Sequence, residues 1–213
     1  MNILSKINNS RKIILEMLEL RDYDISKYNN YNLDQLSVMF NVVDKKISAE
    51  MSPMDIITDN NSSDKKMYIK YLLFSKIRTN NLKDLIDNMI ESTVSNGDDI
   101  IFIVKDSINN KESFELLFEL YLGSNNNFIQ IFCIDDLLTN ITKHVLNPKM
   151  RIISNEEKKN LMSKYKLDSL DQLPIIKKID PLGKFYGMKK GDVCEILRPS
   201  ETSGIYKSYR LCD

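Results

Sequence analysis

Residues 192–211 read D-V-C-E-I-L-R-P-S-E-T-S-G-I-Y-K-S-Y-R-L. Two runs, Asp192 to Leu197 and Ile205 to Leu211, place apolar residues with a period of two, and the P-S-E-T-S-G between them is dense in turn formers. The pattern predicts a β-hairpin with P-S-E-T-S-G as its loop. Upstream, Asp180-Pro181 has the form of an N-cap followed by proline at the first helical position, and Gly187 closes that short helix. Ser154 and Glu157 stand at capping-box spacing before a helix whose inner face is expected to carry Leu161, Met162 and Tyr165. Helices beside a hairpin make a small α+β module of about 70 residues, a size at which autonomous domains are found.

The grammar differs before His144. Ile3, Ile7, Ile14, Met17 and Leu18 recur at helical intervals, predicting an amphipathic helix from Ile3 to Leu20. Asn32 with Gln35 marks a second helix start. Ser48 to Lys65 is polar and is expected to be an exposed loop. Met67, Ile69, Tyr71 and Leu73 keep a period of two, and Leu82, Leu85, Ile86, Met89 and Ile90 fall on one helical face. I-I-F-I-V, Ile100 to Val104, is a continuous apolar run of the kind a strand covered on both faces carries. A helix with Phe114, Leu117, Phe118 and Tyr121, closed by Gly123, precedes a strand from Phe128 to Cys133 and a helix around Asp135 to Thr142. Strand, helix, strand, helix, strand predicts an α/β layer with a largely parallel sheet. The chain thus divides into an α/β domain, residues 1–143, and the α+β module, residues 144–213, with the change expected between His144 and Met150.

Lys and Arg number 30, as do Asp and Glu, so no global field draws the chain to nucleic acid. The three cysteines, Cys133, Cys194 and Cys212, fit neither a disulfide framework nor a Cys-x-x-Cys metal site, which points to a reducing compartment, cytosol or nucleus. Met1 to Ser10 lacks the apolar core of a signal peptide, and no segment reaches the roughly 20 apolar residues of a membrane span. A secreted or embedded protein is not expected. Ala49 is the sole alanine among abundant Asn, Ile, Lys and Tyr, a mark of A/T-rich coding DNA.

Asp98-Asp99 and Asp135-Asp136 stand at a strand start and a helix start, where a metal-dependent nuclease would hold its cation. Capping and the helix macrodipole favour aspartate at such positions without any metal. Asp44-Lys45-Lys46 and Asp64-Lys65-Lys66 match nuclease-like carboxylate-x-Lys spacing, which so charged a chain produces by chance. His144 is the only histidine, excluding a multi-histidine metal centre. Cys133 and Cys194 read as small buried hydrophobes. The six glycines are scattered singly, with neither G-x-G-x-x-G nor G-x-x-x-x-G-K, so no nucleotide loop is expected. Lys177-Lys178 and Lys189-Lys190 are a solvated face or a contact for phosphate or an acidic partner. No cofactor and no metal are expected.

R-P-S-E-T at Arg198 to Thr202, followed by Gly204, Tyr206 and Tyr209-Arg210, resembles the end of the fifth-largest subunit shared by eukaryotic RNA polymerases I, II and III, whose C-terminal module is similar to a small, free-standing subunit of archaeal RNA polymerase. The resemblance extends backward in order through Gly191, Lys189, Gly187, Asp180-Pro181, Gln172-Leu173-Pro174, Tyr165, Glu156-Glu157, Pro148 and His144. Ahead of these the likeness is one of pattern only, to the jaw domain of the eukaryotic subunit. Lys184, Lys190 and Ile205 replace residues often arginine in that family, and Phe185-Tyr186 stands where tyrosine usually comes first. A Thr-Pro segment of the family's jaw is missing at Ser107 to Lys111.

The resemblance implies a non-catalytic polymerase subunit whose C-terminal module docks on the largest subunit, in contact with other subunits, and whose jaw reaches downstream duplex DNA. It implies a partner-binding set of Asp180, Pro181, Tyr186, Gly187, Arg198, Pro199, Ser200, Glu201, Thr202, Tyr206, Tyr209 and Arg210, with Pro199 and Gly204 holding the turn. Arg and Tyr are residue types enriched at interface anchors. Each of these side chains has an internal alternative: Arg198 paired with Glu201, the tyrosines filling the small core. A free transcription regulator using the same module, and the nuclease, are the competing functions. The expected location is the nucleus for a cellular polymerase, or the virion and host cytoplasm for one encoded by a large DNA virus, to which the composition leans.

Overall fold

The computed structural model describes residues 2–28, 31–42, 48–73, 77–106, 111–201 and 204–213. The chain forms two compact units, Met1–Thr139 and Asn140–Asp213.

In the first unit, four strands, β1 (Ile56–Asp59), β2 (Lys66–Leu72), β3 (Asp99–Val104) and β4 (Phe128–Cys133), lie in the order β1-β2-β3-β4. β1 runs antiparallel to β2, and β2, β3 and β4 are mutually parallel. Parallel neighbours need crossovers, supplied by α3 (Thr79–Ser92) and α4 (Lys111–Asn125), which follow α1 (Ile3–Leu20) and α2 (Leu33–Val42) in the chain. Leu82, Leu85, Ile86 and Met89 of α3 and Phe114, Leu117, Phe118 and Tyr121 of α4 pack on Tyr68, Leu72, Ile100, Phe102, Val104, Ile129 and Ile131. α1 serves the opposite face, where Arg21, just past its end, donates to Gln130 Oε1 at 2.9 Å. All six residues of β3 are therefore buried, as its unbroken apolar run predicts.

Several expectations need correction. The polar stretch 48–65 contains β1, a strand of only four residues whose pattern is too short to stand out. β2 is buried on both faces and not on alternate positions; even Lys70 is buried, paired with Asp55 at 3.2 Å. Gly123 lies inside α4, and the chain turns instead at Asn126, with φ 57, because asparagine tolerates the left-handed region. The helix expected around Asp135 to Thr142 is two separate 3₁₀ turns, Ile134–Leu137 and Ile141–Lys143, the second capped by Asn140, whose side chain accepts from Thr142 N at 2.9 Å.

In the second unit, β5 (Lys149–Ile152), β6 (Ile175–Ile176), β7 (Val193–Ser200) and β8 (Gly204–Cys212) form a sheet of order β5-β7-β8-β6. The hairpin runs in antiparallel register from Val193↔Leu211 to Ser200↔Gly204. β5 and β6, of four and two residues, carry no readable signal in the sequence. Alternation sends Cys194 and Ile196 to one face, with Met150, Ile176, Met188 and Cys212. Val193 and Leu211 go to the other, with Ile153 and Leu161.

The caps form as the sequence predicts. Ser154 Oγ accepts from Glu157 N, and Glu157 Oε2 accepts from Ser154 N, opening α5 (Asn155–Tyr165). Of that helix's expected inner face only Leu161 is buried, while Tyr165 is exposed and meets Tyr209 edge-on. Ser154→Ala removes one half of the box and should lower stability by about 1 kcal/mol, read as a lower thermal midpoint of the full chain.

Candidate interaction surface

β5 pairs with β7 only as far as Leu197, and β6 pairs with β8 only at Leu211 and Cys212. Beyond Leu197 the hairpin therefore projects as a two-stranded ribbon. This corrects the expected loop: Arg198, Pro199 and Ser200 are strand residues opposite Tyr206, Ile205 and Gly204. Pro199 lacks an N–H, and a ribbon edge without a neighbouring strand is where proline is tolerated. Gly204 has φ 70, a left-handed conformation that suits the return of the chain. Glu201 is exposed at the turn, and Thr202 lies outside the described residues.

Arg198 and Tyr206 face each other across the strands and share the face of Cys194 and Ile196. Both are exposed, Tyr206 by 57 %, and Ile205 on the opposite face by 66 %. Among the described residues no hydrogen bond or ion pair engages the Arg198 guanidinium or the Glu201 carboxylate, so the internal Arg198–Glu201 pair is not formed. The apolar face runs inward from Arg198 and Tyr206 to the cluster around Cys194, Ile196 and Met188, against which Tyr186 packs.

Other members of the predicted set have internal contacts. Asp180 Oδ1 accepts from Leu182 N at 2.9 Å and Gly183 N at 3.2 Å, capping α6 (Pro181–Tyr186), with Pro181 at its first turn. Gly187 ends α6 at φ 72, its N–H directed to the Gly183 and Lys184 carbonyls. Burial pushes the Tyr186 hydroxyl up. Tyr209 is half-buried against Leu161 and its neighbours, and burial beside Glu195 pushes its hydroxyl up. Arg210 donates to Ile175 O at 3.2 Å, tying β8 to β6.

A charged cluster at the ribbon's base lies outside the set that the sequence predicts. Glu195 is buried on β7, where its carboxylate accepts from Arg151 at 3.1 Å and Tyr209 at 3.4 Å and lies 3.6 Å from Lys207 Nζ. Arg151 also grips Glu157 with two bonds, 2.8 and 3.1 Å, that hold its carboxyl well below the ordinary 4.5, at about 2. A glutamate inside the apolar run V-C-E-I-L is the signal that could have found it. Because the folded form of Glu157 releases its proton more readily than the unfolded form, its contribution is full above pH 4.5 and lost as pH falls toward 2. Glu157→Gln should flatten that part of the stability–pH curve, measured by denaturation at a series of pH values.

The remaining candidates are placed apart. Asp98 accepts from Lys66 N and Ser95 N, and Asp99 from the Tyr23 hydroxyl at 3.1 Å. Asp135 pairs with Lys6 beyond the far end of β4. Strand rise separates the two aspartate pairs by roughly 20 Å, too far to share a cation. Among the described residues no three His, Cys, Asp or Glu side chains gather as a metal site. Asp44-Lys45-Lys46 lies outside the described residues, as do residues 107–110. His144 Nδ1 accepts from Leu146 N, and Lys190 meets Asp213 at 3.0 Å. Burial pushes all three cysteine thiols up, Cys212 to about 11, which leaves them protonated and poorly nucleophilic.

A small two-faced sheet presenting a bare hairpin ribbon defines a binding module, and the family of that module is RNA polymerase Rpb5, C-terminal domain, whose profile matches residues 139–212. The whole chain aligns with the DNA-directed RNA polymerases I, II, and III subunit rpabc1 of Dictyostelium discoideum, 30% identical over 213 residues and covering all of both chains. The subunits RPABC1 of Caenorhabditis elegans and Caenorhabditis briggsae are each 29% identical over 208 residues, spanning 94% of this chain and 92% of theirs. The chain belongs to the RPABC1 (Rpb5) family. These alignments include the first unit, where the residues by themselves show only a likeness of pattern. They lend no support to a nuclease or a free regulator, and none of these three relatives is viral.

Proposed function

We propose that the chain is a non-catalytic subunit of a multisubunit DNA-directed RNA polymerase, docking through its C-terminal unit on the largest subunit. The observation that carries the docking mode is the ribbon: Arg198, Ile205 and Tyr206 are held on paired strands, exposed, and their side chains have no hydrogen-bonding role among the described residues. A paired backbone bearing Arg and Tyr limits the entropy lost on binding, the property of an interface anchor. Asp180, Pro181 and Gly187 serve the same surface indirectly by fixing α6 and with it Tyr186. Pro199, Ser200, Glu201 and Thr202 shape the tip, while Tyr209 and Arg210 brace its base.

The first unit acts as a jaw near downstream duplex DNA. Its contacts are local, since the chain's 30 basic and 30 acidic residues leave no broad attractive field. The nucleus is the compartment implied for a cellular enzyme.

The test is purification of the tagged chain from its native source, with quantitative mass spectrometry and a DNA-templated RNA synthesis assay. Equimolar recovery with two very large subunits, together with RNA synthesis, is the expected result. Trace stoichiometry would replace the core-subunit reading with that of a regulator borrowing the same module.

A further inference from the structure

The first unit buries a group of hydrogen-bond donors that the described residues do not satisfy. Arg11, on the inner side of α1, exposes 3 % of its surface. Its Nη1 donates to Met54 O at 2.7 Å, while Nε and Nη2 are buried with no partner. The Tyr71 hydroxyl and Ser52 Oγ are likewise buried and unpartnered. Tyr71 lies within electrostatic reach of Arg11 and near Ser10 without reaching hydrogen-bond geometry.

These groups belong to one neighbourhood. Asp55 accepts from Ser52 N at 2.8 Å and from Tyr71 N at 3.0 Å, which ties the 52–55 turn to β2, and Met54 in that turn receives Arg11. The Tyr28 and Tyr31 rings lie 5.6 and 4.9 Å from the guanidinium carbon.

Charge makes the same demand. The Asp55 carboxylate is 3.2 Å from the buried Lys70 ammonium, so that pair is balanced and, among the described residues, the Arg11 cation is left over. A buried cation without a counter-charge is costly, and ring faces compensate it only in part. The unmet groups are N–H and O–H donors; burial pushes the Tyr71 hydroxyl up to about 12, which keeps its proton in place at neutral pH.

We propose that Arg11 Nε and Nη2, with the Tyr71 and Ser52 hydroxyls, form an internal site for one small monovalent anion of the halide class. Such an ion accepts from every donor and cancels the excess charge. A water molecule would bring two protons of its own into a set of donors and leave the charge unbalanced. Burial of Arg11 shuts out a partner's side chain, so the ion is taken up as the unit folds.

The test uses the full chain, with sodium chloride exchanged for sodium gluconate at constant ionic strength. Binding only to the folded state should raise the thermal midpoint in chloride by roughly 2–4 °C. Arg11→Met should abolish the difference, and Tyr71→Phe, which keeps the ring and removes one donor, should reduce it even if Arg11→Met fails to fold. Crystals grown in bromide should show an anomalous peak beside Arg11 Nη2. A midpoint indifferent to chloride, together with no bromide peak, would overturn the anion site and leave water as the occupant.

Discussion

Replacing Arg198 and Tyr206 together by alanine is expected to reduce incorporation of the chain into polymerase by about 100-fold in affinity, while the isolated protein unfolds almost as before. The size follows from two anchor truncations at about 2 kcal/mol each, with allowance for non-additivity between facing residues, at 1.4 kcal/mol per factor of ten. Stability should change little because neither side chain has an internal hydrogen-bonding role among the described residues; the lost cross-strand contact is worth about 0.2–1 kcal/mol. Competition between wild-type and doubly substituted chains for assembly, read by quantitative mass spectrometry, measures the first quantity, and denaturation of the free chain the second. Equal incorporation would remove the ribbon from the interface and move attention to α6 and Tyr186.

The largest loss of stability is expected from Phe102→Ala. Phe102 is wholly buried at the centre of β3, opposite Lys70 on β2 and Ile131 on β4, beneath α3 and α4. Truncation leaves a cavity whose strand neighbours are held by the ladder on both sides, so little collapse is available. A cost of about 3–5 kcal/mol follows, a large share of the stability of an ordinary domain. Chemical denaturation of the variant and wild-type chains checks it; a loss below about 1.5 kcal/mol, the range of a volume-conserving swap, would mean that the site repacks. Because the residue has no place on the ribbon, this variant also separates loss of assembly through unfolding from loss through the interface.

The parts of the fold that were legible are those whose causes lie within a few residues. The α1 periodicity, the I-I-F-I-V strand, the Ser154–Glu157 box, the Asp180-Pro181 start and the Gly187 stop depend on side-chain spacing and local backbone chemistry, and each forms where the sequence places it. The family, too, was legible, since R-P-S-E-T and the residues before it keep a linear order.

Pairing was not legible. β1, β5 and β6 are strands only because β2, β7 and β8 offer them an edge, and two to four residues carry too little pattern to announce that. Pro199 has the look of a turn residue because the extent of β5, which frees that edge of β7, is set elsewhere in the chain. The division of the predicted surface into an exposed tip and a braced base has the same origin. Tyr206 and Tyr209 are alike in sequence, but alternation and the reach of α5 leave one in solvent and set the other against Glu195 and Tyr165. The Glu195 cluster joins residues 44 positions apart, and the Arg11 nest joins α1 to a turn 43 positions away. Local spacing and backbone preference are properties of the sequence itself; burial and charge pairing exist only once the chain has brought distant segments together and excluded water between them.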